Sequence, residues 1–562
     1  MLTQSYVHGA SARALLGETV GALIDRIADE HARRPALVAR HQSIRWTYAD
    51  LRRRANDLAA GLIALGLKPG ERIGIWSPNN AEWVVTQFAS AKAGLILVNI
   101  NPAYRVHELE FALNKVGCKA LILSPGFRGN DYFDSLRALA PELDAATPGA
   151  LASSKLPDLK IVIRLGPDKT TGMFNYDDIA TPATHAQLLE LEALGRGLQF
   201  DDPINIQFTS GTTGAPKGAT LTHHNIVNNG YFIGQAMRLG PSDRLCIPVP
   251  YYHCFGMVLG NLACVTHGAC MVCPSEGFEP LATLQAVEEE RCTGLHGVPT
   301  MFIAMLGHPE FHRFDLTSLR TGIMAGSPCP VEVMKQVVAR MHAREMTICY
   351  GMTETSPVST QSALDDPLER RVSTVGRIHP HIEVKIVDAK GRVLPPGETG
   401  ELLTRGYSVM QGYWGDAEAT GKAIDAARFM HTGDLATIDA EGFCNIVGRL
   451  KDMVIRGGEN IYPREIEEFL YTHPSIGDVQ VFGVPDPHYG EQLCAWIKLK
   501  EGASLNAAET IAFCKASLAH YKAPRYVRFV EAFPMTVTGK AQKFLMREAM
   551  IDELGLKLEK TA

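Results

Sequence analysis

The chain has 562 residues, 46% of them hydrophobic, with 55 lysines and arginines against 61 aspartates and glutamates and a net charge of −6. Such a length supports large cores and about three or four structural units. The mild acidity, with no basic run interleaved with aromatics, argues against a nucleic-acid partner, and apolar runs such as GLILVNI (94–100) fall far short of the roughly 20 residues a transmembrane segment needs.

At the start, MLTQSYVHGASARALLGETV has no apolar signal core, and the closing KLEKTA carries neither a prenylation nor a peroxisomal signal, which together read as cytoplasmic. Twelve cysteines scattered through apolar stretches suit a reducing compartment. Val20, Leu23, Ile24 and Ile27 recur at helical spacing. Leu51, Ala55, Leu58, Leu62 and Leu65 repeat the pattern behind a capping box of Thr47 and Asp50. Short β-rich runs then alternate with helical ones: ERIGIW, AEWVVTQFASAKAG, LILVNI, VHELEFALNKVG, KALILS. That alternation predicts parallel strands joined by crossover helices, with binding sites at the carboxyl ends of strands. Residues 125–160, rich in Pro, Ala and Ser, read as a surface excursion. His267, Cys270 and Cys273 in HGACMVC suggest a metal site, but no further pair completes four ligands, and ACMVC reads better as a buried strand. Hairpin-like sequence takes over at 427–439, and a helix is expected from near Pro463. The predicted fold is α/β, a large multi-sheet N-terminal domain over 1–449 with a small, mobile α+β domain over 450–562.

The segment IQFTSGTTGAPKGATLTHHN (206–225) packs hydroxyls, glycines and one lysine between an apolar run and a helix start. Phosphate is gripped by backbone N–H groups that glycine can aim, by hydroxyl donors and by a point charge. Thr209, Ser210, Gly211, Thr212, Thr213 and Lys217 offer these. It is not a P-loop, since Pro216 stands where the glycine before lysine belongs and Gly218 follows the lysine. Taken alone, a plain surface turn explains the segment equally well.

Five stretches in one order break the tie: TSGTTGAPKG (209–218), YGMTE (350–354), TGD (432–434), GRLKDMVIRGGENIYPREIE (448–467) and TGK (538–540). From about residue 20 to 550 the chain resembles the adenylate-forming superfamily of acyl-CoA synthetases, peptide-synthetase adenylation domains and luciferases, most of all the medium-chain fatty acyl-CoA synthetases. The resemblance implies ATP, Mg²⁺ and coenzyme A as cofactors, with a carboxylate activated as acyl-adenylate and then passed to a thiol. It casts the 209–217 loop as the holder of the β- and γ-phosphates. Tyr350 becomes the ring on adenine, with Gly351 in the same turn, Thr353 the α-phosphate donor and Glu354 the Mg²⁺ ligand. Gly326 and Ser327 of AGSP take the adenine edge, Asp434 the ribose hydroxyls, and Arg449 the ribose or phosphate. Lys451 falls at the hinge, Lys540 enters the site for adenylation, and Gly457 with Gly458 lines the thiol's approach after the small domain swings.

The stretch 246–265 resembles the wall of the acyl pocket, with His253 at its gate, and together with 295–306 it contains no Asp or Glu. An ammonium-bearing substrate would want a carboxylate there, so an uncharged apolar acid is expected. Only 22 residues follow Lys540, too few for a carrier domain, which favours free coenzyme A. The implied partners are small molecules, and the resemblance admits a homodimer. Three other readings stand beside this one: an acyl-AMP ligase loading a carrier protein, a luciferase-like oxygenase, and a nucleotide-binding protein without turnover.

Overall fold

The computed structural model describes residues 2–209, 216–327, 329–457, 459–536 and 539–556. The alternating pattern folds into two large sheets. One has eight strands, in spatial order Phe174–Asn175, Ile161–Arg164, Ala120–Leu123, Arg72–Trp76, Ile96–Asn99, Pro203–Thr209, Lys217–Thr222 and Gly412–Tyr413. The first six lie parallel, and the last two add antiparallel. The other has nine strands, parallel from Glu345–Gly351 through Thr321–Met324, Gly294–Gly297, Arg244–Cys246 and Cys270–Cys273 to Pro35–Ala39, with antiparallel strands at both margins.

Helices Tyr48–Ala64 and Ala81–Lys92 join both sheets into one core. The capping box predicted for the first is present: Asp50 N–H donates to Thr47 Oγ1 at 3.2 Å, and Thr47 N–H to Asp50 Oδ2 at 3.1 Å. The second is buried at every position but Glu82, so its hydrophobic residues show no stripe. The segment 125–160 is not a surface excursion. Its helix Tyr132–Leu139 and the chain beyond bury Tyr132, Leu136, Leu139, Leu143, Leu151, Leu156 and Leu159 in a second core, where Tyr132 stacks on Trp76 at 3.8 Å between ring centroids. Beyond the helix, Leu143, Leu151, Leu156 and Leu159 are spaced widely among Pro, Ala and Ser, which hides them from a periodicity reading, whereas Tyr132, Leu136 and Leu139 do fall at helical spacing.

A five-stranded antiparallel sheet, Tyr6–His8, Ile382–Val387, Gly400–Gly406, Met430–Ile438 and Cys444–Arg449, completes the large part. A further five-stranded sheet beginning with Val454–Arg456, backed by helices Pro463–Tyr471 and Ala507–Ser517, has its own core. The strand Cys270–Cys273 is buried, and His267 Nδ1 lies 3.3 Å from Ala263 O. Among the described residues no three His, Cys, Asp or Glu side chains form a metal-binding group.

Helix His223–Ala236 crosses the π-helical stretch Phe255–Leu262 closely. A Cβ on Gly230 would stand 2.8 Å from Leu262 Cβ and 3.1 Å from its carbonyl carbon. Gly230→Ala is expected to cost about 1–3 kcal/mol by overpacking, read as a lowered melting temperature. The core also holds His223, His296 and His379, with His267 half-buried at its edge, each pushed down to about 4 by burial. These rings stay neutral in the fold but take up protons when unfolded below the ordinary value of 6.5. Stability therefore falls as pH drops from 6.5 toward 4, by up to about 1.4 kcal/mol per pH unit for each ring. A series of thermal melts across that range checks it.

Candidate active site

The carboxyl ends of strands from both large sheets face one another. On the eight-stranded sheet, Thr209 ends its strand directly opposite Lys217 on the next. Ser210, Gly211, Thr212 and Thr213 lie outside the described residues. Thr209 Oγ1 donates to Glu354 Oε1 at 3.1 Å, and the Lys217 ammonium lies 5.1 Å from the ring centre of Tyr413. The hydroxyl of Tyr413 donates to the same Glu354 Oε1 at 2.9 Å.

On the nine-stranded sheet, Tyr350 and Gly351 close the strand Glu345–Gly351, and the turn after it carries Thr353 and Glu354 inward, both buried. Gly351 is demanded by packing, because a Cβ there would meet Pro357 O at 1.7 Å. Tyr350 Oη donates to Asp434 Oδ2 at 2.6 Å. Asp434 pairs with Arg449 across adjacent antiparallel strands, with Arg449 Nε 3.4 Å from Oδ1. Register alone thus brings TGD against the start of the 448–467 motif. Burial raises the Asp434 carboxyl above its ordinary range, and Arg449 opposes the rise.

Lys540 reaches this cluster from the far end of the chain. Its loop is braced internally, with Lys540 N–H donating to Thr536 Oγ1 at 3.0 Å and Gly539 N–H to Thr536 O at 2.9 Å. It is seated on the large part through Thr300 Oγ1, which donates to Gly539 O at 3.2 Å. Gly539 has φ +78°, and a Cβ on it would lie 2.8 Å from Val298 Cγ2. A Cβ on Gly326, whose φ is +92°, would lie 3.7 Å from Lys540 Cε. Burial and then Arg449 lower the ammonium's pKa, against Asp434 and Glu354, which support the charge.

His253 lies beside Lys540. Burial, helped by that ammonium, pushes it down to about 3. The neutral ring accepts Phe255 N–H at Nδ1, 3.1 Å away, which leaves the ring proton on Nε2. Cys254 Sγ stands 3.6 Å from His253 Nδ1 and 3.8 Å from Thr353 Oγ1.

The structure therefore gathers Thr209, Lys217, Gly326, Tyr350, Gly351, Thr353, Glu354, Asp434, Arg449, His253 and Lys540. Ser327 follows Gly326, half-buried, its carbonyl accepting from Cys329 Sγ at 3.5 Å. Gly457 is not drawn into the cluster: it is exposed, and its N–H donates to Tyr489 O at 2.8 Å within the small sheet. Lys451 stands exposed at the margin of the cluster, where partial burial and then Arg449 lower its ammonium's pKa against Asp452 and Asp434. Gly458 lies outside the described residues. Tyr413 belongs to the site without having been foreseen, while Cys254 and Thr300 were not singled out but lie in the stretches 246–265 and 295–306 expected at the acyl pocket. The one local signal was GYWG (412–415), an aromatic pair held between glycines.

A cavity of about 250 Å³ adjoins the Lys540 loop. Pro250 and Tyr252 line it from one charge-free stretch and Thr300 and Met301 from the other, with Met535, Thr536 and Gly539 from the small domain; Arg128 and Glu276 are its charged members.

Comparison with known proteins agrees with this geometry. The AMP-binding enzyme family matches residues 24–414, and its C-terminal domain matches 465–540. The chain is 50% identical to a Bacillus subtilis (strain 168) protein carrying the name acyl-CoA synthetase YngI, over 96% of this chain and 99% of that one. It is 49% identical to the mitochondrial medium-chain acyl-CoA ligase ACSF2 of Danio rerio, over 99% and 92%. Among solved structures, an anthranilate CoA ligase, AuaEII, in complex with anthranoyl-AMP superposes with a TM-score of 0.85 at 26% identity, covering 97% of this chain and 99% of that one. With both parts of the pattern matched in order and the site residues converging, the chain belongs to the family of AMP-binding enzymes.

Proposed function

We propose that this enzyme is an AMP-forming acyl-CoA ligase, joining an apolar carboxylic acid, most simply a medium-chain fatty acid, to coenzyme A. The single observation that carries the reading is Lys540 seated among Glu354, Asp434 and Arg449, where a carboxylate and a nucleotide phosphate would meet. A carboxylate oxygen bonds to the α-phosphorus of ATP as the bond to pyrophosphate breaks, and Lys540 lowers the repulsion between the two anions. Thr353 offers a hydroxyl to the α-phosphate, Tyr350 a ring face to adenine, Asp434 an acceptor to ribose hydroxyls, and Lys217 a charge to the departing phosphates. Glu354 fits Mg²⁺, which is commonly held by one or two carboxylates together with substrate phosphates. Bound there, the ion would neutralise phosphate charge. In the second step the coenzyme A sulfur attacks the acyl carbonyl, and AMP leaves.

The boundary between the large and small parts is placed at 449/450, between the strands Cys444–Arg449 and Val454–Arg456. Lys451 beside it serves as hinge, and Gly457 with Gly458 lines the thiol's path once the small part has turned. No helix among the described residues is long and apolar enough to cross a membrane. Twelve free, buried cysteines support a reducing compartment, and we place the enzyme in the cytoplasm.

Lys540→Ala is expected to slow acyl-adenylate formation by about 10²-fold or more while thioester formation from supplied acyl-AMP stays near wild type. Equal loss in both half-reactions would refute a lysine specific to the first step. The 250 Å³ cavity is assigned to the acyl chain. Catalytic efficiency should rise roughly 3- to 4-fold per added methylene until it is full. Met301→Trp should move the chain-length optimum to shorter acids. An unmoved optimum with a raised KM for coenzyme A would give the cavity to the thiol arm instead.

A further inference from the structure

Tyr413 is absent from the resemblance drawn above, yet two of the proposed nucleotide-handling side chains touch it. Its strand Gly412–Tyr413 edges the eight-stranded sheet, with Tyr413 opposite Ala219 and Gly412 opposite Thr220. Lys217 is two residues before Ala219, hence on the same face and a diagonal neighbour of Tyr413. The backbone is fixed on both sides: Tyr413 N–H donates to Thr420 Oγ1 at 2.9 Å, and Trp414 N–H to Gly218 O at 2.8 Å. The ring then holds the Lys217 ammonium over its face at 5.1 Å. At its far end the hydroxyl reaches Glu354, 59 residues away in sequence, at 2.9 Å.

The hydrogen bonds at Glu354 are one-sided. Thr209 Oγ1 and Tyr413 Oη both donate to Oε1, and among the described residues no hydrogen bond falls on Oε2. One oxygen is anchored by two hydroxyls, and the other is left to accept from something else. A carboxylate so fixed presents a single hard oxygen, which suits a cation also bound by phosphate oxygens.

We propose that Tyr413 is a positioning residue with two separable duties: its hydroxyl turns Glu354 toward the divalent cation, and its ring holds Lys217 ready for the phosphates of ATP. This rests on the adenylating function proposed above. The two duties fall on different parts of one side chain, so two substitutions separate them. Tyr413→Phe keeps the ring and removes the hydroxyl, whereas Tyr413→Leu removes both.

ATP binding is measured by titration calorimetry on the full-length protein, with Mg²⁺ and with EDTA, and acid-dependent exchange of pyrophosphate into ATP is followed against Mg²⁺ concentration. Tyr413→Phe should bind ATP in EDTA as tightly as wild type, lose most of the gain that Mg²⁺ confers, and need about 10- to 100-fold more Mg²⁺ for half-maximal exchange, the range expected for loss of a partner that orients a metal ligand. Tyr413→Leu should show the same Mg²⁺ defect and also bind ATP more weakly in EDTA. Thioester formation from supplied acyl-AMP should persist in both. An unchanged Mg²⁺ response in Tyr413→Phe overturns the hydroxyl's role, and equal EDTA affinities for Phe and Leu overturn the ring's. Loss of thioester formation as well in Tyr413→Phe would make the hydroxyl a prop of the fold and overturns the proposal. A wild-type protein with no acid-dependent exchange would instead sink the adenylating function itself, and is thereby told apart from failure of the Tyr413 assignment.

Discussion

The centre of this molecule depends on a few half-buried charges cancelling one another. Asp434 and Glu354 are buried, Lys540 is half-buried beside them, and Arg449, its side chain 53% exposed, pairs with Asp434 from the solvent side. Taking ions out of water is costly unless each finds a partner, and removing one member of such a set leaves its opposite exposed to the whole penalty. Three of the four belong to the large part of the chain and the fourth arrives on a turn of the small one. How the small part sits is therefore coupled to the electrical balance of the site. The seat that holds that turn, Thr300 Oγ1 on Gly539 O with Gly539 flush against Val298, is modest in itself. It gains its importance from the charge it delivers.

Both sheets offer the cluster the same end of their strands. Thr209 ends one strand of the eight-stranded sheet; Val298, Gly326 and Gly351 stand at or just beyond the ends of three neighbouring strands of the nine-stranded one. Parallel strands all point their carboxyl ends one way, so loops from residues far apart in sequence gather without a long excursion. The antiparallel sheet contributes by register instead, setting Asp434 across from Arg449. Two sorts of β-pairing thus supply different things: crossover topology gathers the loops, and the antiparallel ladder aligns one ion pair.

Much of this could be read from residue types. The capping box of Thr47 and Asp50, the strands around Ile73, Leu97 and Leu121, and the helix opening at Pro463 all stand where local pattern put them, because each is governed by contacts a few residues apart. The site residues were legible only through several motifs recurring together. Tyr413 escaped because its partners, Lys217 and Glu354, are distant in sequence and meet it only through sheet edges. The helix at 132–139 was legible and was passed over: Tyr132, Leu136 and Leu139 recur at i, i+4 and i+7 behind a capping Asp131, but the signal is only two turns long and runs straight into the Pro-, Ala- and Ser-rich stretch. The strand Tyr6–His8, by contrast, pairs with residues near 384, a partner that no local signal could name.

Cys254 stands between His253 and Thr353, in the midst of the proposed acyl-transfer centre. Burial pushes its thiol up to about 12. The thiolate is the attacking form, so a thiol that burial keeps protonated is a poor nucleophile at neutral pH. A mixed anhydride formed in that centre would share it with a sulfur that keeps its proton. The enzyme can thus keep a reactive acyl group beside its own cysteine and still yield it to a thiol arriving from solution, because the resident sulfur holds its proton and the visiting one gives it up far more readily.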